Sequence, residues 1–382
     1  MNKKICFVTT TRISIESFFV PQIKYLAKNG FDVTVVCTPK GDMQGLLGDT
    51  VRYVPIDIPR GISFFGSFSA ISKMKKFFKK ERFDIVQYST PNAAMYASIA
   101  SRLTGVKIRN YHIMGFRYLG SSGIGGMLLK AIEMISCKNS TDFECVSPSN
   151  RKFGIENGFF TEENSCVVWN GSSGGVDLKK FDVSKRTEYR NEIRSRHGIK
   201  NDEFVFGFVG RVTRDKGINE ILSAFKKMNG AKLLMVGDLS EAGTLDSALY
   251  SQSKENESII YTNEVSDVEK YMAAIDVLLF PSYREGFGNV VIEAAAMKTP
   301  AIVSDIMGPI DAVLKDESAI VVPPHDEASL ADAMSKVMND IDIAKMGNTA
   351  YDFVKSGFDS DIMCQKVLER KNELIKRLSS NK

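Results

Sequence analysis

The sequence contains no paired cysteine motif and no long hydrophobic run, and each absence excludes a class of protein. Its six cysteines are scattered over 382 residues, without a C-x-x-C pair and without a histidine at metal-ligand spacing. They predict reduced core residues and a cytoplasmic location rather than a disulfide framework or a zinc site. No apolar stretch reaches the roughly 18 residues of a membrane-spanning helix. The short run after Lys4 therefore predicts a buried first strand rather than a signal peptide.

The composition is typical of a globular protein, with no low-complexity tract and no internal repeat. Hydrophobic residues make up 43% and charged residues 25%, and a chain of this length suits two α/β domains. The net charge of +4 is uneven: residues 1–170 hold 22 Lys and Arg against 13 Asp and Glu, whereas the remainder holds 28 against 33. The first half should favour an anionic partner. No nucleic-acid-binding motif accompanies its charge, so nucleic acid is not expected as a partner.

Apolar runs alternate with helical patterns along the chain, which predicts two sets of βαβ units, each with a parallel sheet. The predicted strands of the first half are 5–9, 33–37, 85–88, 107–111, 143–146 and 167–169. After a turn-rich segment at 170–177 and a charged helix at 185–196, the second set begins at 204 and continues at 233–236, 277–280, 301–303 and 319–322. The expected domains are residues 1–175 and 176–360, followed by a C-terminal helix at 361–382.

The most informative segment is F-P-S-Y-R-E-G-F-G-N-V-V-I-E at residues 280–293. It joins a buried strand to a predicted helix, so the turn lies at the carboxyl end of a strand, where open α/β sheets bind ligands. Gly286 and Gly288 leave room for a ligand at the backbone, and the helix N-terminus favours an anion. The amides expected to point outward there are those of Gly288, Asn289 and Val290.

Two carboxylates flank this predicted anion site. Glu285 lies in the turn and Glu293 lies in the helix that follows. Because carboxylates repel an anion, both are expected to accept hydrogen bonds from neutral hydroxyls at the two ends of a diphosphate, as in a nucleotide sugar. Taken alone, an E-x7-E pair is common, and Glu293 is also compatible with a solvated helix face. Its context of glycine-rich turns after apolar strands favours a function.

A second segment, F-V-F-G-F-V-G-R-V-T-R-D-K-G-I at residues 204–218, presents two cations after an apolar strand. The strand runs into Gly210, and Arg211 and Lys216 occupy the loop before a helix that begins near Gly217. A planar guanidinium and a compact ammonium group suit a diphosphate and would stabilise it as a leaving group. No metal ion would then be required.

Together these two segments resemble the retaining glycosyltransferases of the GT-B fold, specifically glycosyltransferase family 4. The resemblance covers most of the chain, with its specific motifs between residues 207 and 305. It implies two Rossmann-like domains facing a central cleft, with a C-terminal helix that crosses back to the N-terminal domain. It also implies that Glu285 contacts the donor sugar, that Glu293 holds the ribose, and that Arg211 and Lys216 bind the diphosphate. Further donor contacts are expected at Gly210, Val265, Gly286, Phe287, Gly288, Asn289 and Val290.

His112 follows the predicted strand 107–111 in the acceptor half of the chain. Members of family 4 commonly carry a histidine at this point, close to the donor sugar. His112 would then donate a hydrogen bond to the sugar or help to orient the acceptor hydroxyl; a structural histidine after an apolar strand is the alternative. The resemblance implies no enzymic nucleophile, because front-face attack assisted by the leaving diphosphate is the usual proposal for this family.

The loop after the first strand departs from the family pattern. Many relatives have Gly-Gly there, whereas this chain has T-T-T-R at residues 9–12. Thr10, Thr11 and Arg12 would either bind phosphate or sugar of the acceptor or cap the following helix. The motifs therefore define the acceptor less closely than the donor.

A basic segment at residues 72–83 contains five lysines and one arginine. On a helix, Phe68, Ile71, Met74 and Phe78 would fall on one side, with many of the cations elsewhere. This pattern is typical of a sheet-packing helix with a solvated basic face. It is also compatible with attachment to an anionic membrane surface, where each basic residue contributes about 1 kcal/mol. Such attachment would bring the protein to a lipid-linked acceptor.

We therefore expect a cytoplasmic, peripheral-membrane hexosyltransferase that retains configuration and needs neither a metal nor a bound cofactor. Its donor would be a hexose or N-acetylhexosamine on a nucleotide diphosphate, UDP by default. Its acceptor would be a polyprenyl-diphosphate-linked saccharide used for O-antigen or capsule. The D-x-D sequence at 340–342 falls in a late helical region and indicates surface charge.

Two alternatives remain open at this point. The first is a GT-B epimerase acting on a UDP-sugar, although the three histidines, His112, His197 and His325, do not form a convincing acid–base set. The second is a non-catalytic subunit that binds sugar nucleotides. A dehydrogenase is a weaker hypothesis, because no G-x-G-x-x-G follows the first strand.

Overall fold

The computed structural model describes residues 3–61 and 64–380. The chain divides into two compact units. The first unit comprises the described residues of Met1–Gly174 together with those of Ser360–Lys382, and the second is Gly175–Asp359. Each unit is built on one parallel β-sheet.

The first unit contains a seven-stranded sheet with helices between the strands. Its strands are β1 Lys3–Val8, β2 Phe31–Cys37, β3 Val51–Pro55, β4 Ile85–Tyr88, β5 Ile108–Ile113, β6 Asp142–Cys145 and β7 Ser165–Val167. Its helices up to residue 174 are α1 Arg12–Phe18, α2 Val20–Lys28, α3 Met43–Leu47, α4 Phe64–Glu81, α5 Pro91–Leu103, α6 Gly123–Asn139 and α7 Pro148–Glu156. The strand order is β3-β2-β1-β4-β5-β6-β7, so the direction of winding reverses between β1 and β4.

Strand β1 is apolar on both faces from Ile5 to Val8, because helices cover both faces of a parallel sheet. Alternate side chains of β1 show the division. Cys6 and Val8 join a core that includes side chains of α4 and α5, whereas Ile5 and Phe7 join a core that includes side chains of α2. The carboxyl ends of the strands therefore open onto loops, which are free to carry polar groups.

The second unit repeats this architecture with six parallel strands. Its strands are β8 Phe204–Val209, β9 Ala231–Val236, β10 Ile259–Thr262, β11 Val277–Phe280, β12 Ala301–Ser304 and β13 Ala319–Val322. Its helices are α8 Arg186–Arg196, α9 Ile218–Phe225, α10 Ser247–Glu255, α11 Val268–Ala274, α12 Asn289–Ala296, α13 Glu327–Asn339 and α14 Ile343–Gly357. The order is β10-β9-β8-β11-β12-β13, and the reversal lies between β8 and β11.

Two strands, β3 and β10, are absent from the sequence-based predictions. Both lie at an edge of their sheet. The side chains of β3 include exposed Arg52, and all four residues of β10 are half-buried. An edge strand is covered less completely than a central one, so it lacks the continuous apolar run on which those predictions depend.

The last helix, α15 Ser360–Ser380, belongs to the first unit. Met363 and Leu374 lie in the core that α2 also joins. Lys371 donates hydrogen bonds to both carboxylate oxygens of Glu144 on β6, at 2.7 and 2.6 Å. The prediction that the C-terminal helix returns to the N-terminal domain is confirmed.

The predicted apolar side of the basic helix is partly wrong. In α4, Met74 and Phe78 are buried and Ile71 packs at the edge of the core, but Phe68 is 74% exposed. The buried stripe passes through Ala70 instead, which leaves Phe68 at the solvent side of the helix. All five lysines of segment 72–83 are exposed, as expected of a solvated basic face.

Two further expectations are that the cysteines are reduced core residues and that no helix spans a membrane. All six cysteines are free thiols, five of them buried and Cys166 half-buried. Burial raises the pKa of Cys37 to about 11, so this thiol is protonated at neutral pH. No helix within residues 3–61 and 64–380 is long and apolar enough to cross a membrane.

Candidate active site

The predicted donor motifs meet at the carboxyl edge of the second sheet. The loops after β8 and β11 lie side by side there, because the strand order reverses between these paired strands. A reversal of this kind leaves a crevice outside the strand ends, where open α/β sheets bind ligands. A backbone hydrogen bond of 2.9 Å from the amide of Tyr283 to the carbonyl of Asp215 joins the two loops.

Glycine is required where these loops pack together. Gly217 has a φ of +72°, and a Cβ at this position would overlap the carbonyl oxygen of Pro281 in the neighbouring loop. Gly237 has a φ of +136°, and a Cβ there would overlap the carbonyl oxygen of Gly210. A larger residue at either position would force the backbones apart. Close backbone packing therefore holds the two motifs at one place.

Lys216 and Glu285 form an ion pair across the two loops. The Nζ atom of Lys216 lies 2.5 Å from Oε1 of Glu285, and the two side chains are only 18% and 15% exposed. Lys216 ends the 3-10 turn Arg214–Lys216 before α9, and Glu285 lies in the turn before α12. Lys216, predicted to bind the diphosphate, and Glu285, predicted to contact the sugar, thus neutralise each other's charge in this structure.

Arg211 pairs with a different carboxylate, that of Glu241. The Nη1 atom of Arg211 lies 2.9 Å from Oε1 of Glu241, and about half of each side chain is exposed. An exposed ion pair contributes only about 0–1 kcal/mol. Arg211 can therefore exchange Glu241 for an anionic ligand at a small cost in free energy.

Glu293 lies in the second turn of α12. Burial raises its pKa to about 7, and the positive charge of Lys180 opposes this shift. The carboxyl group therefore changes between its neutral and charged forms close to physiological pH. Only the charged form accepts hydrogen bonds through both oxygens.

The turn before α12 brings backbone groups to the strand ends. Gly288, the N-cap of α12, has a φ of +96°, and it has no side chain to cap the first-turn amides. Asn289 and Val290 form the start of the helix and are half-buried. The ring of Phe287 instead packs in the core against Phe358, with 5.4 Å between ring centroids. A ligand can therefore reach only the backbone of Phe287.

The remaining predicted donor contacts lie on neighbouring turns. Val265 is half-buried in the turn between β10 and α11. The backbone of Gly286 packs so closely on Gly308 that a Cβ on Gly308 would overlap it. The structure thus places these predicted donor residues on the loops and helix starts that follow β8, β10 and β11.

His112 lies inside β5, which extends to Ile113 rather than ending at residue 111. Its side chain is buried, and its ring makes an edge contact with Phe19 at 5.1 Å between centroids. Neither ring nitrogen has a hydrogen-bond partner among the residues that the structure describes. Burial lowers the pKa of His112, so the imidazole is neutral at neutral pH and offers one donor and one acceptor.

Sequence reasoning missed Glu144, the neighbour of His112 in the sheet. Glu144 lies directly opposite His112 on β6, and its Oε2 is 3.9 Å from Nδ1 of the imidazole. Burial alone would raise the pKa of Glu144, but the ammonium group of Lys371 holds that pKa well below its usual range. The available signal was a charged residue inside the predicted buried strand 143–146.

Threonine and serine hydroxyl groups hold the loop after β1 in place, and one of them, that of Thr90, comes from the loop after β4. The backbone amide of Thr10 donates to Oγ1 of Thr90 at 3.1 Å, and the two threonine hydroxyls lie 2.8 Å apart. Thr11 occupies the N-cap position of α1, but its hydroxyl contacts that of Ser14 at 3.1 Å rather than a backbone amide. Arg12 is the first residue of α1 and is half-buried. The three predicted acceptor residues of this loop therefore lie at the carboxyl edge of the first sheet.

Within the two described ranges, no group of three or more His, Cys, Asp or Glu side chains is placed to hold a metal ion. In the D-x-D sequence, a carboxylate oxygen of Asp342 accepts a hydrogen bond of 2.9 Å from the amide of Lys345. Asp342 is thereby the N-cap of α14. This interaction gives Asp342 a structural role.

Family models match both halves of the chain in the order expected of a GT-B protein. Residues 4–147 match the family described as "Glycosyl transferase 4-like", and residues 189–353 match "Glycosyl transferases group 1". The chain is 30% identical over 381 residues to the capsular polysaccharide biosynthesis glycosyltransferase CapM of Staphylococcus aureus, and the match covers 98% of each chain.

Two further proteins resemble the chain less closely. One is the UDP-Gal:alpha-D-GlcNAc-diphosphoundecaprenol alpha-1,3-galactosyltransferase of Escherichia coli, 25% identical over 358 residues, which are 91% of this chain and 89% of that protein. The other is the solved sucrose-phosphate synthase from Thermosynechococcus elongatus, which superposes with a TM-score of 0.80 at 18% identity over the full length of both chains. At that identity the likeness shows the fold alone. The predicted architecture of two Rossmann-like units, each built on a parallel sheet, is confirmed, and the chain belongs to the glycosyltransferases of the GT-B fold.

Proposed function

We propose that this chain is a retaining glycosyltransferase that moves a hexose or N-acetylhexosamine from a UDP-sugar to a polyprenyl-diphosphate-linked saccharide in capsule or O-antigen synthesis. The observation that carries the proposal is the Lys216–Glu285 ion pair at the strand reversal of the second sheet. The name of the Escherichia coli relative includes a UDP-galactose donor and a diphosphoundecaprenol acceptor, and that of CapM includes capsule synthesis. These names support the choice of both substrates.

The donor diphosphate is proposed to displace two carboxylates from two cations. The diphosphate replaces Glu285 as the partner of Lys216 and Glu241 as the partner of Arg211. The two cations then neutralise the charge that develops on the leaving UDP. No metal ion is proposed for this task. Glu285, once released, accepts a hydrogen bond from a hydroxyl of the donor sugar.

Helix α12 and its N-cap are assigned two sets of donor contacts, a side-chain contact to the ribose and backbone contacts to the diphosphate. Glu293 in its charged form accepts hydrogen bonds from the ribose hydroxyls. The amides of Gly288, Asn289 and Val290 lie at a helix N-terminus, where partial positive charge favours the diphosphate. These contacts would orient the donor with its sugar beside Glu285.

His112 is proposed to donate a hydrogen bond to a substrate hydroxyl. Burial keeps its imidazole neutral, so it carries one N–H donor without adding a positive charge. Retention of configuration is inferred from the resemblance of the E-x7-E motif to family 4. No enzymic nucleophile is assigned, and the acceptor hydroxyl attacks on the face from which UDP departs.

The protein is proposed to meet its acceptor at the cytoplasmic face of the plasma membrane through α4. Phe65 and Phe68 are 86% and 74% exposed near the start of this helix. The exposed lysines of the same helix are Lys73, Lys75, Lys76, Lys79 and Lys80. Exposed aromatic side chains beside lysines are typical of helices that lie in a membrane interface, and each lysine near an anionic surface contributes about 1 kcal/mol.

Thermal unfolding in the presence of UDP-, GDP- and ADP-sugars tests the donor assignment first. We expect one nucleotide class to raise the melting temperature, with UDP-sugars as the specific expectation. Lys216→Ala and Glu293→Ala should abolish the rise. Lys226→Ala is the matched control, because Lys226 is an exposed lysine at the end of α9 that contacts Gln252.

Transfer to a polyprenyl-diphosphate-linked saccharide, with the anomeric configuration of the product read by NMR, tests the reaction. An α-linked product from an α-linked donor is the expected result. An inverted product would contradict retention. A folded protein that responds to no nucleotide sugar would contradict the transferase itself and favour a non-catalytic role.

A further inference from the structure

A pocket of about 330 Å³ lies at the carboxyl edge of the first sheet, where the strand order reverses between β1 and β4. The side chains that define it are Thr10, Thr11, Thr90, Asn92, Arg60 and Arg117. A strand reversal is the usual ligand position of an open α/β sheet. The donor residues occupy the equivalent position in the other unit, so this pocket is available for a different ligand.

The walls of the pocket are fixed by hydrogen bonds within the protein. The Nδ2 atom of Asn92 donates to the carbonyl oxygens of Pro59 and Gly61, at 2.7 Å each, and so holds the loop that carries Arg60. Thr90, bonded to Thr10, has a φ of +67°, which is costly for a β-branched residue. Such strain persists where the surrounding structure holds the backbone in place. The backbone and the neutral side chains of the pocket are therefore held in place, whereas Arg60 and Arg117 are exposed side chains.

Arg60 and Arg117 make this pocket cationic. Among the residues that the structure describes, neither guanidinium group has an ion-pair partner and no carboxylate lines the pocket. The hydroxyls and the amide around them are neutral. Two guanidinium groups with neutral hydrogen-bonding neighbours suit a phosphate or diphosphate.

The start of α5 and an adjoining pocket lie next to these arginines. Helix α5 begins at the pocket with Pro91. Among the residues that the structure describes, the side chain of its N-cap residue, Thr90, makes no hydrogen bond to the amides of the first turn. An adjoining pocket of about 270 Å³ shares Arg60 and adds Arg12, Lys40 and the carboxylate of Asp57. Because Arg12 also pairs with Glu16 at 3.1 Å and Asp57 opposes the charge of Lys40, the adjoining pocket adds little net positive charge to that of the first pocket.

Exposed apolar side chains lie on the two helices that begin at this edge of the sheet. Phe65 and Phe68 follow closely after Gly61 of the pocket wall, and Ile124 and Met127 lie in the first turns of α6, soon after Arg117. All four side chains are largely exposed. A prenyl diphosphate offers an anion for the arginines and a hydrocarbon chain that reaches the membrane to which Phe65 and Phe68 are proposed to bind, whereas a free sugar phosphate offers only the anion.

We propose that this pocket binds the diphosphate group of the lipid-linked acceptor, with Arg60 and Arg117 as its two cationic contacts and the starts of α4 and α6 facing the prenyl chain. The inference rests on the proposed transferase function for its choice of substrate. It assigns the acceptor diphosphate to two arginines that the sequence motifs do not mark.

Two acceptors with the same saccharide test the assignment. One carries a prenyl diphosphate and the other a phosphate-free alkyl glycoside. We expect Arg60→Ala and Arg117→Ala each to lower kcat/KM at least tenfold for the diphosphate acceptor, and by less than twofold for the alkyl glycoside. Arg102→Ala is the matched control, because this exposed arginine contacts Asn139 near the carboxyl end of α5 and should affect neither acceptor. Equal losses with both acceptors, or no loss with either, would overturn the proposal.

Direct binding of farnesyl diphosphate separates this inference from the proposed function. The measurement is made by calorimetry on the full chain carrying Lys216→Ala, so that the donor site does not compete for the diphosphate. Binding that is lost on adding Arg60→Ala or Arg117→Ala would support the pocket even if no transfer were found. Absence of binding in the Lys216→Ala background would overturn the pocket, and transfer by the wild-type chain would still stand as a test of the function.

Discussion

Removing the buried lysine of α15 should destabilise the first unit strongly. Lys371 is 1% exposed, and its Nζ lies 2.7 and 2.6 Å from the two oxygens of Glu144, whose side chain is 3% exposed. Lys371→Met keeps an unbranched apolar stem but leaves the carboxylate without this partner. Breaking a buried ion pair from one side costs about 3–5 kcal/mol. Because the Nε of Arg370 remains 3.6 Å from Oε1 of Glu144, we expect the lower end, about 3 kcal/mol.

Urea unfolding followed by tryptophan fluorescence measures this loss in the relevant unit. Trp169 is the only tryptophan in the sequence, and it packs against a core of the first unit. Its signal therefore reports the unfolding of that unit. The free energy of unfolding in water is obtained by linear extrapolation for the wild type and the variant.

The loss should depend on pH in a defined direction. In the wild type, Lys371 holds the pKa of Glu144 below its unfolded value, so the pair stabilises the protein above that unfolded pKa and this contribution is lost as pH falls through the folded pKa. In Lys371→Met the carboxyl group is buried without its main partner, so it takes up a proton more readily. The difference in free energy between the two proteins should therefore shrink from pH 7.5 to pH 5.

Two variants test whether loss of the Lys371–Glu144 ion pair causes the loss of stability. Lys371→Met with Glu144→Leu removes both charges and should recover most of the stability, because an apolar replacement of a buried pair is often neutral. Lys366→Met removes an exposed lysine that pairs with Glu369 on the same helix, and it should cost less than about 0.5 kcal/mol. A cost below about 1 kcal/mol for Lys371→Met that does not change with pH would refute the reasoning.

Three further predictions concern the donor site and the membrane. Because the pKa of Glu293 is about 7, UDP-sugar affinity should rise between pH 6 and pH 8 in the wild type and stay flat in Glu293→Gln, as measured by calorimetry. Glu241→Gln should strengthen UDP-sugar binding two- to fivefold, because it frees Arg211 from an exposed pair worth about 0–1 kcal/mol; weaker binding would contradict that competition. Phe65→Ser with Phe68→Ser should lower sedimentation with anionic vesicles at least tenfold while the melting temperature stays unchanged, since both side chains are exposed.

The sequence was sufficient for the elements that apolar runs and glycines mark. The strand before Gly210, the strand before residue 281 and the helix that starts at Asn289 lie where they were predicted, because local propensity and burial agree there. The edge strands β3 and β10 were missed because they are only partly covered. The exposed position of Phe68 was missed because helical periodicity gives a face but not the centre of that face.

The partners of charged residues were beyond the reach of sequence patterns. Glu144 and Lys371 are separated by 227 residues, and only the return of α15 to the first sheet brings them together. The Lys216–Glu285 ion pair was missed for a similar reason. The sequence motifs assigned both residues to donor binding, but they did not predict that the two side chains contact each other. Long-range pairing of this kind depends on strand order, which periodicity does not encode.

The two strand reversals differ in how their cations are balanced, and the difference suits their proposed ligands. At the donor site, Lys216 and Arg211 are each neutralised by a carboxylate. Binding of the proposed UDP-sugar donor would displace those carboxylates and so weaken the affinity, but the same carboxylates would re-form their pairs when UDP leaves after the proposed transfer. Arg60 and Arg117 have no such competitor among the described residues. An acceptor diphosphate keeps its lipid anchor throughout the reaction, so the pocket at the first sheet has no charged leaving group to expel.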